Sequence, residues 1–182
     1  HSTQQNYFSK YKSILKKIDS QDKFLNPKNI DKFFKKNYGD QSYSLLTLDD
    51  GFFNNLEFAE KVLKPLKIKA IFFIIPSLLQ NKKNKNQEFF KILYPNYNRR
   101  LIYSIKNQFT PLSKENILKI QKLGHTIGMH GFNHENFSRL NEKQIKKIIN
   151  NGINIFKKLN IPINHFAYPF GNKSSFNQRS NM

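Results

Sequence analysis

Apolar residues along this chain recur with two different periods, and the periods alternate. Phe8, Tyr11, Ile14, Leu15 and Ile18 stand three and four apart, which predicts an amphipathic helix over residues 4–18. A second helix is predicted over 26–39, with Asn26 as N-cap, Pro27 in its first turn and Gly39 as its stop. Residues 43–48 read as a strand. A helix from Asn54 follows, with Phe58, Val62, Leu63 and Leu66 on one face. "IKAIFFII" (68–75) is an apolar run of strand length, as expected of a parallel strand covered on both faces.

Residues 80–109 carry no clear period, and "QNKKNKNQ" reads as an exposed loop within an insertion over 80–110. Pattern resumes with a helix between Ser113 as N-cap and Gly124 as C-cap, then "HTIGM" as a strand and "GFNHENFSRL" as a loop. Residues 141–160 predict a helix with Ile145, Ile148, Ile149, Phe156 and Leu159 inward. "NHFAYP" is a last strand, and residues 173–182 belong to a polar tail. There is no internal repeat. Strands alternating with helices imply right-handed crossovers and a parallel sheet or barrel. The expectation is one domain over 1–172, with a helical lead-in at 1–40. Chemistry in such folds collects at the C-terminal ends of the strands. Asp49 and Asp50, His130 and His134, and Pro169-Phe170-Gly171 all fall at such ends.

Composition narrows the picture only a little. With 182 residues and 18 Phe there is material for a real core, and with no cysteine there is no disulfide or thiol chemistry. No apolar run approaches the ~18 residues of a membrane-spanning helix. The polar start shows no signal peptide, and a first residue of His reads as a fragment or processed form. Location therefore stays open between bacterial cell envelope and cytoplasm. The net charge of +19 permits attraction to nucleic acid, anionic lipid or acidic glycan. Lysine far outnumbers arginine, the side chain suited to bidentate phosphate contacts, so charge alone does not choose a partner.

Candidate chemistry begins at "LLTLDDGFF" (45–53), where an apolar run ends in two adjacent carboxylates. One reading is a turn plus a helix cap. The other makes one aspartate a metal ligand and leaves its neighbour ionised as a general base. "HGFNH" (130–134) spaces two imidazoles to converge on one cation, or else is a loop with two surface histidines. Two imidazoles and one carboxylate would leave open positions for water and substrate, as in a catalytic site. His125 falls on the opposite strand face from His130 and reads as structural, as does His165. "YPFG" (168–171) is a turn whose Phe170 N–H is a candidate oxyanion donor.

The three stretches, in this order, resemble the polysaccharide deacetylase family, also called the NodB-homology domain or carbohydrate esterase family 4. "TLDDG" (47–51) is similar to its Thr-Phe-Asp-Asp-Gly motif, "HGFNH" to its His-Ser/Thr-x-x-His, and "AYPFG" (167–171) to its Arg-x-Pro-Tyr/Phe-Gly. The likeness covers residues 40 to 172. It implies a distorted (β/α) barrel and a divalent metal, zinc first, with Co2+, Ni2+ or Mn2+ as alternatives. Asp50, His130 and His134 would be ligands, and Asp49 the base that takes a proton from the attacking water. Phe170, beside Pro169 and Gly171, would face the oxyanion. The implied reaction removes an N-acyl group, typically acetyl, from an amino sugar, and the charge admits an anionic or lipid-linked substrate.

The chain departs from that pattern in four places. Leu48 replaces Phe, Gly131 replaces Ser/Thr and implies a lost hydrogen bond in the metal loop, and Ala167 stands where the family often has Arg. The chain also stops soon after the third motif, before the family's Leu-x-His motif and the last part of the barrel, so an incomplete barrel is expected. Two competing readings remain: a deacetylase-like domain without turnover, and a basic module holding anionic glycan or nucleic acid. No nucleic-acid signature is visible, so the hydrolase reading leads.

Overall fold

The computed structural model describes residues 2–35, 41–80, 85–95 and 110–176. Helix α1 (Ser2–Gln21) inserts Leu15 into the core, with Phe8 and Tyr11 packed beside it. Strand β1 (Lys23–Phe24) follows, an element that two residues of pattern cannot announce. A short 3-10 turn, Pro27–Asn29, is capped by Asn26, whose side chain accepts the Lys28 N–H at 3.1 Å. It runs into α2 (Ile30–Lys35). The expected stop at Gly39 lies outside the described residues.

The single strand expected at 43–48 is divided between two sheets. β2 (Tyr43–Ser44) pairs in parallel with β1, whereas β3 (Leu46–Leu48) enters the main sheet. Leu45, between them, is exposed. The helix expected from Asn54 is a continuous rod of three parts: α3 (Asn54–Phe58), a π segment (Ala59–Leu63) and α4 (Lys64–Leu66). The wider π turns fall just before Pro65, whose ring lacks an N–H and crowds the preceding turn. Leu56, Ala59, Val62 and Leu63 bury one face of this rod.

The main sheet adds β4 (Ala70–Ile74), β5 (Thr126–Met129) and β6 (His165–Phe166) to β3, in the order β3-β4-β5-β6, all parallel. Every residue of β4 is buried, as its unbroken apolar run requires of a strand covered on both faces. Between β4 and β5 lies the main correction to the sequence reading. Residues 85–87 of the expected loop open helix α5 (Lys85–Leu93). Phe89 and Phe90 are fully buried, and Phe89 joins Ile75 and Leu78 in a second apolar cluster. The return stretch then pairs with the start of the first crossover: Phe53 N–H donates to the Thr110 carbonyl at 2.7 Å, and Leu112 N–H to that of Gly51 at 2.8 Å.

Helices α6 (Lys114–Lys122) and α7 (Glu142–Lys158) both begin with reciprocal capping boxes, Ser113 with Asn116 and Asn141 with Gln144. Ile117, Ile120 and Phe156 carry them into the core, and Gly152 of α7 lies so close to Met129 of β5 that a Cβ there would collide with its sulfur. Part of the expected polar tail is folded: Ser175 is buried and its carbonyl accepts the Ser138 N–H at 3.1 Å. The architecture is α/β with parallel strands. Because all four run the same way, the segments after Leu48, Ile74, Met129 and Phe166 emerge at one edge.

Candidate metal centre

At that edge the backbone turns sharply three times. Asp50 (φ 68), His134 (φ 57) and Phe170 (φ 71) are left-handed, as are Gly51, Gly131 and Gly171. Among the described residues the other non-glycine positions with positive φ, Lys67 and Asn160, each follow the end of a helix. Left-handed backbone at an ordinary residue costs about 1–3 kcal/mol, and such strain concentrates where side-chain placement matters. The aspartates do not cap the following helix: its N-cap is Phe53, with no side-chain bond.

His130 follows β5 directly and is 2% exposed. Its N–H donates to the Ile74 carbonyl at 2.9 Å, and its Nδ1 lies 3.0 Å from the Ala167 carbonyl. A carbonyl can only accept, so Nδ1 carries the proton and the Nε2 lone pair faces the site. That Nε2 lies 3.5 Å from Oδ1 of Asp50, and Nε2 of His134 lies 3.4 Å from the same oxygen. One ligand atom from each residue falls within 4.8 Å of the others. Asp50 Oδ1 is buried with no hydrogen-bond partner. Burial raises the Asp50 carboxyl pKa, His130 opposes that, and Asp49 adds to it. Burial first, and His130 second, lower the His134 pKa to about 4. These donors fit a divalent cation: an orphaned carboxylate oxygen between two imidazoles, with coordination positions left open.

Asp49 is exposed beside this cluster, and its backbone carbonyl accepts Gly51 N–H at 2.9 Å and Asn55 Nδ2 at 3.3 Å. The Phe170 ring, half exposed, stands edge-on to His134 at 4.6 Å between centroids. Pro169 lies close enough to Gly131 that a Cβ there would meet its Cγ at 3.1 Å. A cleft of about 570 Å3 opens beside His134 and Asn133, with Gln87, Glu88 and Lys91 of α5 on its other wall. His125 lies apart, at the start of β5. It is 3% exposed, and its Nδ1 accepts the Ala70 N–H at 3.2 Å. His165 is likewise away from the cluster, as the first residue of β6. Sequence reasoning did not single out Ser77 or Glu135, which hold the histidine loop. Their signal was weak: a carboxylate directly after His134 and a hydroxyl after Pro76.

The fold has solved relatives. Streptococcus pyogenes deacetylase PplD in complex with acetate aligns at TM-score 0.66 and 17% identity, over 94% of this chain and 65% of that one. IcaB from Ammonifex degensii aligns at 0.67 and 19%, over 92% and 69%. A de-N-acetylase from Aggregatibacter actinomycetemcomitans aligns at 0.67 and 14%, over 96% and 71%. The chain thus spans about two thirds of these relatives, and the open sheet is an incomplete barrel of their type. No curated protein matches it in sequence. The description "Polysaccharide deacetylase" belongs to the family model that matches residues 36–180, a span holding all three left-handed turns and the cluster they create, and the chain belongs to that family.

Proposed function

We propose that the protein is a metal-dependent hydrolase that removes an N-acetyl group from an amino sugar. The observation that carries this reading is the convergence of Asp50, His130 and His134 beside the exposed Asp49. A divalent cation there, zinc by preference for two imidazoles and a carboxylate, would polarise the acyl carbonyl and make the attacking water more acidic. Asp49 takes the proton from that water, and it is the proton the leaving nitrogen then needs. The Phe170 N–H, in the left-handed turn between Pro169 and Gly171, would donate to the oxyanion. The edge-on contact of its ring with His134 supports a fixed place for that turn. A deacetylase bound to acetate and a de-N-acetylase among the structural relatives support acetyl as the group removed.

The cleft beside His134 supports a substrate longer than one sugar. It offers amides at Gln87 and Asn133 and an ammonium at Lys91 for hydroxyl and anionic groups. The net charge of +19 supports a substrate bearing phosphate or carboxylate. The test is acetate release from N-acetylated amino-sugar oligomers by zinc-loaded protein, beside Asp49→Asn. Zinc at one per chain, with release about 100-fold or more slower in the variant, is expected. Zinc bound but no release from neutral or anionic oligomers would sink the hydrolase reading and favour a domain that binds without turnover.

A further inference from the structure

The loop that carries both histidines is held by a carboxylate that lies just outside the three motifs, that of Glu135. Gly131 sits at φ +65, and a Cβ there would stand 2.9 Å from Oε2 of Glu135. That Oε2 accepts the Phe132 N–H at 2.9 Å. On the other side of the loop the Phe132 carbonyl accepts the Ser77 N–H at 3.0 Å. The Ser77 hydroxyl, on a residue 2% exposed, donates to Oδ1 of Asn133 at 2.9 Å. Phe132 is therefore fastened through both its N–H and its carbonyl, the first to Glu135 within the histidine loop and the second to Ser77 after β4.

We propose that Glu135 is the positioning residue of this metal centre. Its carboxylate fills the space that a side chain at residue 131 would occupy, and fixes the loop that a Ser/Thr hydroxyl would otherwise steady. Three observations converge. The bond has an ionisable acceptor and a backbone donor, a combination stronger than a neutral pair. Glu135 adjoins His134, so the bond closes the loop across the span between the ligands. The missing Cβ at Gly131 is what lets the carboxylate and Pro169 approach together. Outer groups that hold metal ligands in this way commonly change affinity by about 10- to 100-fold when removed. The inference rests on the metal-centre reading above and adds to it the residue that makes the site rigid.

The experiment compares wild type, Glu135→Ala and Glu135→Gln as full chains. Zn2+ affinity is measured by competition with a chromophoric chelator, and the Co2+-loaded forms are compared by visible absorption. Glu135→Ala is expected to weaken Zn2+ binding about 10- to 100-fold and to shift the Co2+ bands. Glu135→Gln, whose amide oxygen can still accept the Phe132 N–H, is expected to recover most of both. A folded Glu135→Ala with wild-type affinity and spectrum overturns the proposal, and so does a Gln variant as impaired as Ala. If Glu135→Ala does not fold, Glu135→Met decides, since it keeps the bulk and cannot accept the Phe132 N–H; unchanged affinity there overturns the proposal. Wild type that binds neither Zn2+ nor Co2+ overturns it differently, by removing the metal reading beneath it.

Discussion

Asp49 and Asp50 are adjacent, yet their surroundings differ. Asp50, at φ 68, has an oxygen buried between two imidazoles, whereas Asp49 remains exposed. Like charges this close disfavour joint ionisation unless a cation lies with one of them. Asp50→Ala is accordingly expected to abolish stoichiometric zinc binding, as elemental analysis after dialysis would show. Asp49→Asn should keep its zinc. His125 provides a test independent of the metal. Burial, then Lys69, lower its pKa to about 4, against 6.5 unperturbed. Above pH 6.5 neither folded nor unfolded chain protonates it. Below that the unfolded chain gains a proton that the folded chain refuses, so stability falls until about pH 4, by at most ~3 kcal/mol. Urea midpoints from pH 7.5 to 4 should fall less steeply for His125→Gln than for wild type, and equal slopes would refute this assignment.

At the scale of elements, helix α5 has two faces with two tasks. Phe89 and Phe90 anchor it, with Phe89 against the Phe52 ring at 4.7 Å and within the cluster of Ile75 and Leu78. Gln87, Glu88 and Lys91 line the cleft. Phe89→Ala is expected to destabilise the fold by about 3–5 kcal/mol, measured by denaturant unfolding. Gln87→Ala and Lys91→Ala should instead leave stability and zinc content unchanged and raise KM for oligomers more than for a monosaccharide. Equal effects on both substrates would detach the cleft from substrate binding. Legibility followed the same division. Helices α6 and α7 were legible because apolar spacing and the polar residues at their starts agree, and capping boxes form there. Helix α5 was missed because its first turn is made of the lysine and asparagine that also make loops. Only the burial of Phe89 and Phe90, a tertiary event, distinguishes it. Strand ends were equally unreadable, since 43–48 serves two sheets and the break at Leu45 has no residue signal.

Over the whole molecule, parallel pairing in chain order brings the C-terminal ends of the four main-sheet strands to one edge, and with them residues as distant in sequence as Asp50 and His130. Charge is the other property at this scale. Among the described residues no helix is long and apolar enough to cross a membrane. If +19 serves recognition, KM for a phosphate- or carboxylate-bearing oligomer should rise with salt between low and ~0.15 M ionic strength, where the Debye length falls to about 8 Å, while KM for a neutral one stays flat. Parallel salt responses would assign the charge to composition alone.

By itself the sequence determined the alternation of strands and helices, the capped starts of the long helices, and the residue types at the strand ends, because periodicity and capping are local and are written in neighbouring residues. Only tertiary structure decided that Asp50, His130 and His134 share one point, that the Ala167 carbonyl sets the His130 tautomer, and that Glu135 occupies the room left by Gly131. Those contacts join residues from different strands, or close a loop whose backbone runs left-handed. They depend on how chain directions and turns meet in space, which no local pattern of residues encodes.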